Sequence, residues 1–427
     1  MDLLKSLLKG DRVIWIIFLC LCMISIIEVF SAASTLTYKT GDHWAPITQH
    51  VTILMVGVIV VIVVHIIPYK WFQVFPVFLL PVSIFLLIFV AVMGFITGDR
   101  VNGAARWMTF FGIQFQPSEL AKMAVIIAVS FILSKRQNDE GANPKAFKYI
   151  MIITGMVCVF IAPENLSTAL LLLFVVVLLM FIGQIAIKKL LLLFGSIALV
   201  GTFVIGLALV VPSDTKIPFM HRLVVWKNRI INFIEDEKVP AAKFDIDKNA
   251  QIAHARIAIA TSNLAGKAPG NSVQRDFLSQ AFSDFIFAII IEELGLMGGS
   301  FVVILYIWLL IRAGRIAQKC NRTFPAFLVM GIALMLVSQA ILNMMVAVGL
   351  CPVTGQPLPL VSKGGTSTLI NCAYIGMILS VSCYTIQLEK EKENAAKAAE
   401  EAALTLQAAE PTAQVLNSDS EFKETNN

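Results

Sequence analysis

Hydrophobic positions in this chain fall in long unbroken runs rather than in alternation. Such runs occupy Val13–Ala32, Pro46–Ile67, Trp71–Ile96, Pro117–Ser134 and Tyr149–Ala162. Others follow at Leu166–Gly183, Leu190–Val211, Phe285–Ile311, Phe324–Leu350 and Thr366–Ile386. Most approach or exceed the roughly 20 residues that an α-helix needs to cross about 30 Å of hydrocarbon. A transmembrane barrel would instead show short segments alternating with period two. The pattern predicts an all-α polytopic membrane protein with about ten transmembrane helices. Tyr149–Ala162 is the short run and Trp71–Ile96 the long one, so their ends are the least sharply drawn.

The polar stretches between the runs set the orientation. Lys5, Lys9 and Arg12 precede the first run, Lys70 follows the second, and Lys135, Arg136, Lys145 and Lys148 fill the fourth connection. Lys188 and Lys189 occupy the sixth, and Arg312, Arg315, Lys319 and Arg322 the eighth. All of these fall on one face if every run spans, and basic loops stay in the cytoplasm. Both termini are therefore expected to be cytoplasmic: residues 1–12 form a short N-terminus and 388–427 a tail, flanking a membrane domain at 13–387. Residues 212–283 then make a long extracytoplasmic loop between spans seven and eight. Within it, Arg222–Phe233 could form an amphipathic helix lying on the membrane or a solvated loop helix. The tail from Glu389 to Glu401 reads as an exposed Ala/Glu/Lys helix, and Glu410 to Asn427 as disordered.

Composition agrees with a helical membrane protein. Of 427 residues, 58% are hydrophobic and only 14% charged, against about 45–50% and 25% in soluble proteins. The net charge of +5 resides in the basic loops and gives no support to nucleic-acid binding. Seven scattered cysteines have no metal-ligand spacing and read as packing residues. The first run lacks a small-residue cleavage site and is expected to be retained as a helix.

Against this background the polar residues that sit near or inside apolar runs stand out. Asp284 lies where the long polar segment ends and the eighth run begins, at the depth of a membrane surface. A carboxylate there can be ionised yet sheltered, as a general base must be. The alternative is local: Ser283 as an N-cap, with Asp284 meeting the positive end of the helix dipole. Glu119 and Lys122 stand three apart and can neutralise one another or line a cavity. Glu28, His65, Glu292 and Glu293 are further ionisable groups within runs, and Gln339 and Asn343 suit hydrogen bonds between helices. Two outward loops are chemically dense. Gly98–Gln116 holds Asp99, Arg100, Asn102, Arg106 and Trp107. Cys351–Ser367 holds Pro352, Gly355, Pro357 and Pro359, then Lys363, Gly364 and Gly365. Exposed amides at a helix start beside a lysine suit a phosphate or pyrophosphate, or simply make a re-entrant turn. Together these features favour an anionic lipid-linked substrate, without deciding whether it is moved or reacted.

The same segments carry a family resemblance. Asn102-Gly103-Ala104-Ala105-Arg106-Trp107 followed by Gln116-Pro117-Ser118-Glu119-Leu120-Ala121-Lys122 resembles the third-to-fourth helix signature of the SEDS family (shape, elongation, division and sporulation). Ser283-Asp284-Phe285-Ile286-Phe287 with Glu292-Glu293-Leu294-Gly295 is similar to its second signature. Pro352-Val353-Thr354-Gly355-Gln356-Pro357-Leu358-Pro359-Leu360-Val361-Ser362 with Gly364-Gly365-Thr366-Ser367 is similar to its third. The likeness spans nearly the whole chain. It implies a peptidoglycan glycosyltransferase that polymerises lipid II, an undecaprenyl-pyrophosphate-linked disaccharide peptide, at the outer face of the bacterial cytoplasmic membrane. It also implies a class B penicillin-binding transpeptidase as partner, alongside other division proteins, with division-type members nearer than elongation-type ones. By the resemblance, Asp284 is the essential acid, while Arg106, Trp107, Glu119 and Lys122 surround it. Ser362, Lys363, Gly364 and Gly365 are expected on the substrate. A divalent cation, magnesium or manganese, could share the pyrophosphate charge, with no metal ligands identified. The chain departs from the family pattern at Ser279, Gln280, Phe282 and Ser283, where Pro-Glu-x-His-Thr is usual. It departs again at Lys363, where a tyrosine is usual, and at Pro163-Glu164-Asn165, where Pro-Asp is usual. A lipid II flippase is the rival reading of the same cavity, and a scaffold that only activates its transpeptidase is another.

Overall fold

The computed structural model describes residues 9–32, 44–96, 107–110, 113–138, 141–210, 227, 250–278 and 281–424. Each of the ten apolar runs is helical: α1 Arg12–Ala32, α2 Ala45–Ile66, α3 Phe75–Ile96, α4 Pro117–Lys135 and α5 Pro144–Ile161, then α6 Leu166–Ile182 and α7 Ile187–Val210. After α8, Ala250–Ala260, come α9 Ile286–Gln318, α10 Thr323–Ala347 and α11 Gly365–Glu424. Of these, α1–α5 and α9–α11 are long and apolar enough to cross a membrane, and α6 is a shorter apolar helix. Two small antiparallel hairpins, β1 Met108–Phe110 with β2 Ile113–Phe115 and β3 Gln137–Asn138 with β4 Gly141–Ala142, and two short 3-10 helices, Tyr69–Gln73 and Gln274–Asp276, complete the described elements.

Apolar residues cover every side of most of these helices, so periodicity does not choose which face is buried. Packing chooses it. α10 lies against α4, α6 and α9; α1 lies against α9; α11 runs along α2. Most of α4 and α10 is buried, whereas α3 turns Val77, Phe78 and Phe85 outward and α7 exposes Leu191, Leu192 and Phe203. Exposed apolar rings and branches of this kind suit contact with lipid. The α2–α11 seam is close. A Cβ on Gly376 would stand 2.8 Å from Cβ of Val64 and 3.0 Å from the Val61 carbonyl, a small-residue approach that membrane helices use to pack without a hydrophobic driving force.

Two features differ from the sequence reading. α11 continues as helix to Glu424, past Glu410, where disorder was expected. Also, α9 is not one smooth helix but breaks at Gly295, which has φ 72° and ψ −175°. Of the expected features, Arg106, the Ser279–Gln280 pair and all of 222–233 but Lys227 lie outside the described residues.

Candidate active site

Asp284 sits in the turn 281–285 that leads into α9. It is not in the first helical turn, and Ser283 is not the N-cap. The cap position is Phe285, with no side-chain capping bond. Instead Ser283 Oγ donates to Asp284 Oδ1 at 3.0 Å. The capping explanation therefore fails on geometry, and the carboxylate, partly exposed, is held on a turn rather than spent on a helix end.

That turn is fixed from two sides. Asn343 of α10 donates through Nδ2 to the Asp284 carbonyl at 2.9 Å and to the Gln356 carbonyl at 2.8 Å. From the loop after α10, Ser362 Oγ donates to the Ser283 carbonyl at 2.6 Å while accepting from the Leu358 amide at 2.8 Å. The Lys363 amide donates to the Phe282 carbonyl at 2.9 Å, and its ammonium stands 5.7 Å from the centre of the Phe282 ring. Partial burial lowers the pKa of the Lys363 ammonium from the ordinary lysine value, since an apolar setting disfavours the charged form. So three consecutive residues, Phe282, Ser283 and Asp284, each have their carbonyl bonded by the 343–363 region.

The loop 351–364 is itself gripped by several helices. Gln339 of α10 donates to the Pro357 carbonyl at 3.0 Å, and Tyr306 of α9 donates to the Pro359 carbonyl. Ser25 of α1 donates to the Val361 carbonyl at 2.6 Å and pairs with His50 Nε2 of α2 at 2.8 Å. Gln356 Nε2 reaches Thr168 Oγ1 of α6 at 2.6 Å. Irregular backbone at membrane depth is tolerated only when neighbouring groups satisfy it. Here side chains of α1, α9 and α10 do so. Leu360 holds a left-handed φ of 65°, a conformation that a branched residue keeps only under such constraint.

Glu119 and Lys122 belong to the support rather than to the surface. Lys122 Nζ bonds Glu119 Oε1 at 2.7 Å and Gln339 Oε1 at 2.8 Å, and both ionic side chains are essentially inaccessible. The chain of bonds thus runs Glu119–Lys122–Gln339–Pro357, ending on the loop that holds Asp284. The two residues are brought together with one another and with α10, not onto the Asp284 carboxylate. Trp107 is 41% exposed and leads into the β1–β2 hairpin. Thr366 of α11 ties the end of that hairpin, accepting from the Gln116 amide at 3.1 Å and donating to the Gln114 carbonyl at 3.3 Å. Gly364 and Gly365, half-exposed beside Lys363, open α11 one residue before that tie.

Glu292 and Glu293 have a separate task. Glu292 pairs with Lys267 Nζ at 2.7 Å and accepts from the Val273 and Gln274 amides. Glu293 accepts from the Gly270 and Ser272 amides at 3.1 and 3.2 Å and from Ser31. Both carboxylates clamp the segment 267–275 to the kink in α9. Sequence reasoning missed Ser25, His50 and Tyr306; the signal was a polar tip inside an otherwise apolar run. Among the described residues no group of three His, Cys, Asp or Glu side chains could hold a metal ion, so no residue here is assigned to a cation.

Fold and site together define a polytopic helical membrane protein in which the turn carrying Asp284 is interlocked, through backbone bonds, with the loop carrying Lys363. A family model described as cell cycle protein, and named for FtsW, RodA and SpoVE, matches residues 11–387; the chain belongs to that family, the SEDS family. Among its relatives, a probable peptidoglycan glycosyltransferase FtsW of Halomonas elongata is 31% identical over 388 residues, covering 88% of this chain and 91% of the relative. A protein of the same name from Geobacter metallireducens is 28% identical, covering 89% and 96%. In fold, the chain is similar to a component of a peptidoglycan synthase complex, solved for its coordination of polymerization and crosslinking. That match has TM-score 0.69 at 22% identity, covering 89% of this chain and 99% of that one. The rod shape determining protein RodA of Thermus thermophilus matches with TM-score 0.61 at 23% identity, covering 88% and 98%.

Proposed function

We propose that this chain is a peptidoglycan glycosyltransferase of the division type, joining lipid II units at the outer face of the bacterial inner membrane. Its FtsW-named relatives support the activity, and the positive-inside distribution of basic loops supports the outward placement of Asp284. The observation that carries the reading is the Asp284 turn, fixed through three successive carbonyls next to a half-buried lysine. A base must be held within hydrogen-bond reach of the proton it removes, and rigid support supplies that.

In the proposed reaction a sugar hydroxyl of one lipid II attacks the anomeric carbon of another. Asp284 accepts the hydroxyl proton as the new glycosidic C–O bond forms. The bond from that carbon to the pyrophosphate breaks, and the polyprenyl pyrophosphate leaves with the electron pair. Attack opposite the leaving group inverts the anomeric centre, giving a β-linkage from an α-linked donor. Lys363 and Arg106, with the amides at Gly364 and Gly365, neutralise the leaving charge. Trp107 packs on the substrate, while Glu119, Lys122 and Ser362 act through the loop they support. A class B penicillin-binding transpeptidase would crosslink the product at the septum; the coordinated synthase complex of the structural neighbour supports a partner of that kind.

The test is strand synthesis from labelled lipid II by the purified chain with its transpeptidase. Asp284→Asn keeps the size and shape of the side chain but removes the base, and should lower polymerisation by roughly 10²-fold or more. Undiminished polymer would exclude Asp284 as the base. Absence of polymer from the unaltered protein, together with label crossing a vesicle membrane, would favour a flippase.

A further inference from the structure

A polar cavity lies at the opposite end of the bundle from Asp284. It has a volume of about 740 Å³, within the range of small-molecule sites. It forms where the start of α1, the end of α9 and the 382–389 part of α11 meet. Its charged lining is Asp11, Arg12, Arg312, Arg315, Lys319 and Glu389, two carboxylates against four cations.

Both carboxylates are already engaged. Asp11 Oδ1 accepts from the Val13 and Ile14 amides at 2.9 and 3.3 Å, capping α1, while its Oδ2 accepts from Arg312 Nε at 2.6 Å. Glu389 pairs with Lys319 at 2.8 Å. Among the described residues no carboxylate pairs with Arg12 or Arg315, so two guanidinium groups facing one cavity carry the excess charge. Planar guanidinium groups match phosphate oxygens in a bidentate way. Ile316 and Ile386 give the cavity an apolar wall. One turn into the membrane, Ile16 of α1 and Ile311 of α9 are exposed, an apolar flank beside a charged mouth. The basic-loop rule puts this end in the cytoplasm, where the inner leaflet presents anionic headgroups.

We propose that this cavity binds the phosphate headgroup of an anionic glycerophospholipid from the inner leaflet, with Arg12 and Arg315 on the phosphate and the Asp11–Arg312 and Lys319–Glu389 pairs as its frame. The site is independent of the reaction at Asp284.

The full chain is reconstituted in nanodiscs holding equal phosphatidylglycerol and phosphatidylcholine, released, and its retained lipids weighed by native mass spectrometry. The unaltered protein should retain phosphatidylglycerol over phosphatidylcholine by roughly tenfold. The double variant R12Q/R315Q should lose that preference, and R12K/R315K should keep part of it. Thermal melting of each variant separates loss of a site from loss of fold, and the Lys pair keeps charge if the Gln pair does not fold. Equal retention by R12Q/R315Q would overturn the proposal. So would a preference in the unaltered protein that millimolar inorganic phosphate abolishes, because the cavity would then be a site for free phosphate.

Discussion

Lys363 has a backbone and a side chain that do different things. Its amide ties the loop to Phe282, a bond any residue but proline would make, while its ammonium rests half-buried over the Phe282 ring. Burial lowers its pKa from the ordinary value of 10.5. The folded chain therefore releases this proton at lower pH than the unfolded chain does. Carrying the charge while folded is a penalty, present below the folded pKa and relieved as pH rises towards 10.5. Activity that uses the cation moves the other way, failing as pH rises through the folded pKa. Polymerisation measured against pH should fall on its alkaline side earlier than an exposed lysine would allow. Lys363→Arg, which stays charged, should move that limb upward, and Lys363→Met should lower the rate and remove the limb. A limb unchanged in the Lys363→Met variant would assign it to another group. The Glu119–Lys122 pair answers to stability instead. Lys122→Met strands a buried carboxylate and should cost about 3–5 kcal/mol, part of which Glu119→Gln in the same chain restores. Melting of the single and double variants in detergent checks it.

Among the elements, the helices were legible because an apolar run of membrane length has few other structures open to it. The interlocked turns were not. Ser362 bonds a carbonyl 79 positions away, and Ser25 one 336 away; no local pattern carries such pairings. Ser283 shows the limit clearly. Its neighbours read as a helix start, but the bond from Ser362 to its carbonyl and the approach of Lys363 to Phe282 hold that stretch as a turn. Gln339 and Asn343 were legible as hydrogen-bonding residues, and only the fold reveals that their partners are the loop and Asp284. Glu292 and Glu293 were legible as costly, and their cost is offset by amides of the 267–275 segment upstream. The residue just before that segment enters the α9 kink so tightly that a Cβ on Gly266, at φ 76°, would collide with the Glu293 carbonyl. Gly266→Ala should thus destabilise the fold by at least about 1–3 kcal/mol. An unchanged melting temperature would mean that the clamp on α9 opens without consequence.

For the molecule as a whole, everything proposed depends on which end faces out. Asp284 and the 351–364 loop gather at one end of the bundle, and Arg12, Arg312 and Arg315 at the other. α9 connects the two: beyond its kink at Gly295 the continuous stretch 296–318 runs about 35 Å at 1.5 Å per residue. A helix of that length exceeds the hydrocarbon thickness and must carry its ends to opposite surfaces or tilt strongly. The cations at the C-terminal end of α9 then fix the sign, since arginines and lysines in short loops remain in the cytoplasm. In the orientation proposed here the carboxylate at its other end lies outside, where a lipid-linked sugar flipped across the membrane would be met. Leu264, 60% exposed near the kink, and Lys392, exposed on α11 beyond the cytoplasmic cavity, report the two sides. In a chain whose native cysteines are replaced by serine or alanine, Leu264→Cys should react with a membrane-impermeant maleimide in intact spheroplasts. Lys392→Cys should react only after the membrane is opened. The reverse pattern would place Asp284 among cytoplasmic precursors, and a polymerase acting on the outer surface would have no base there.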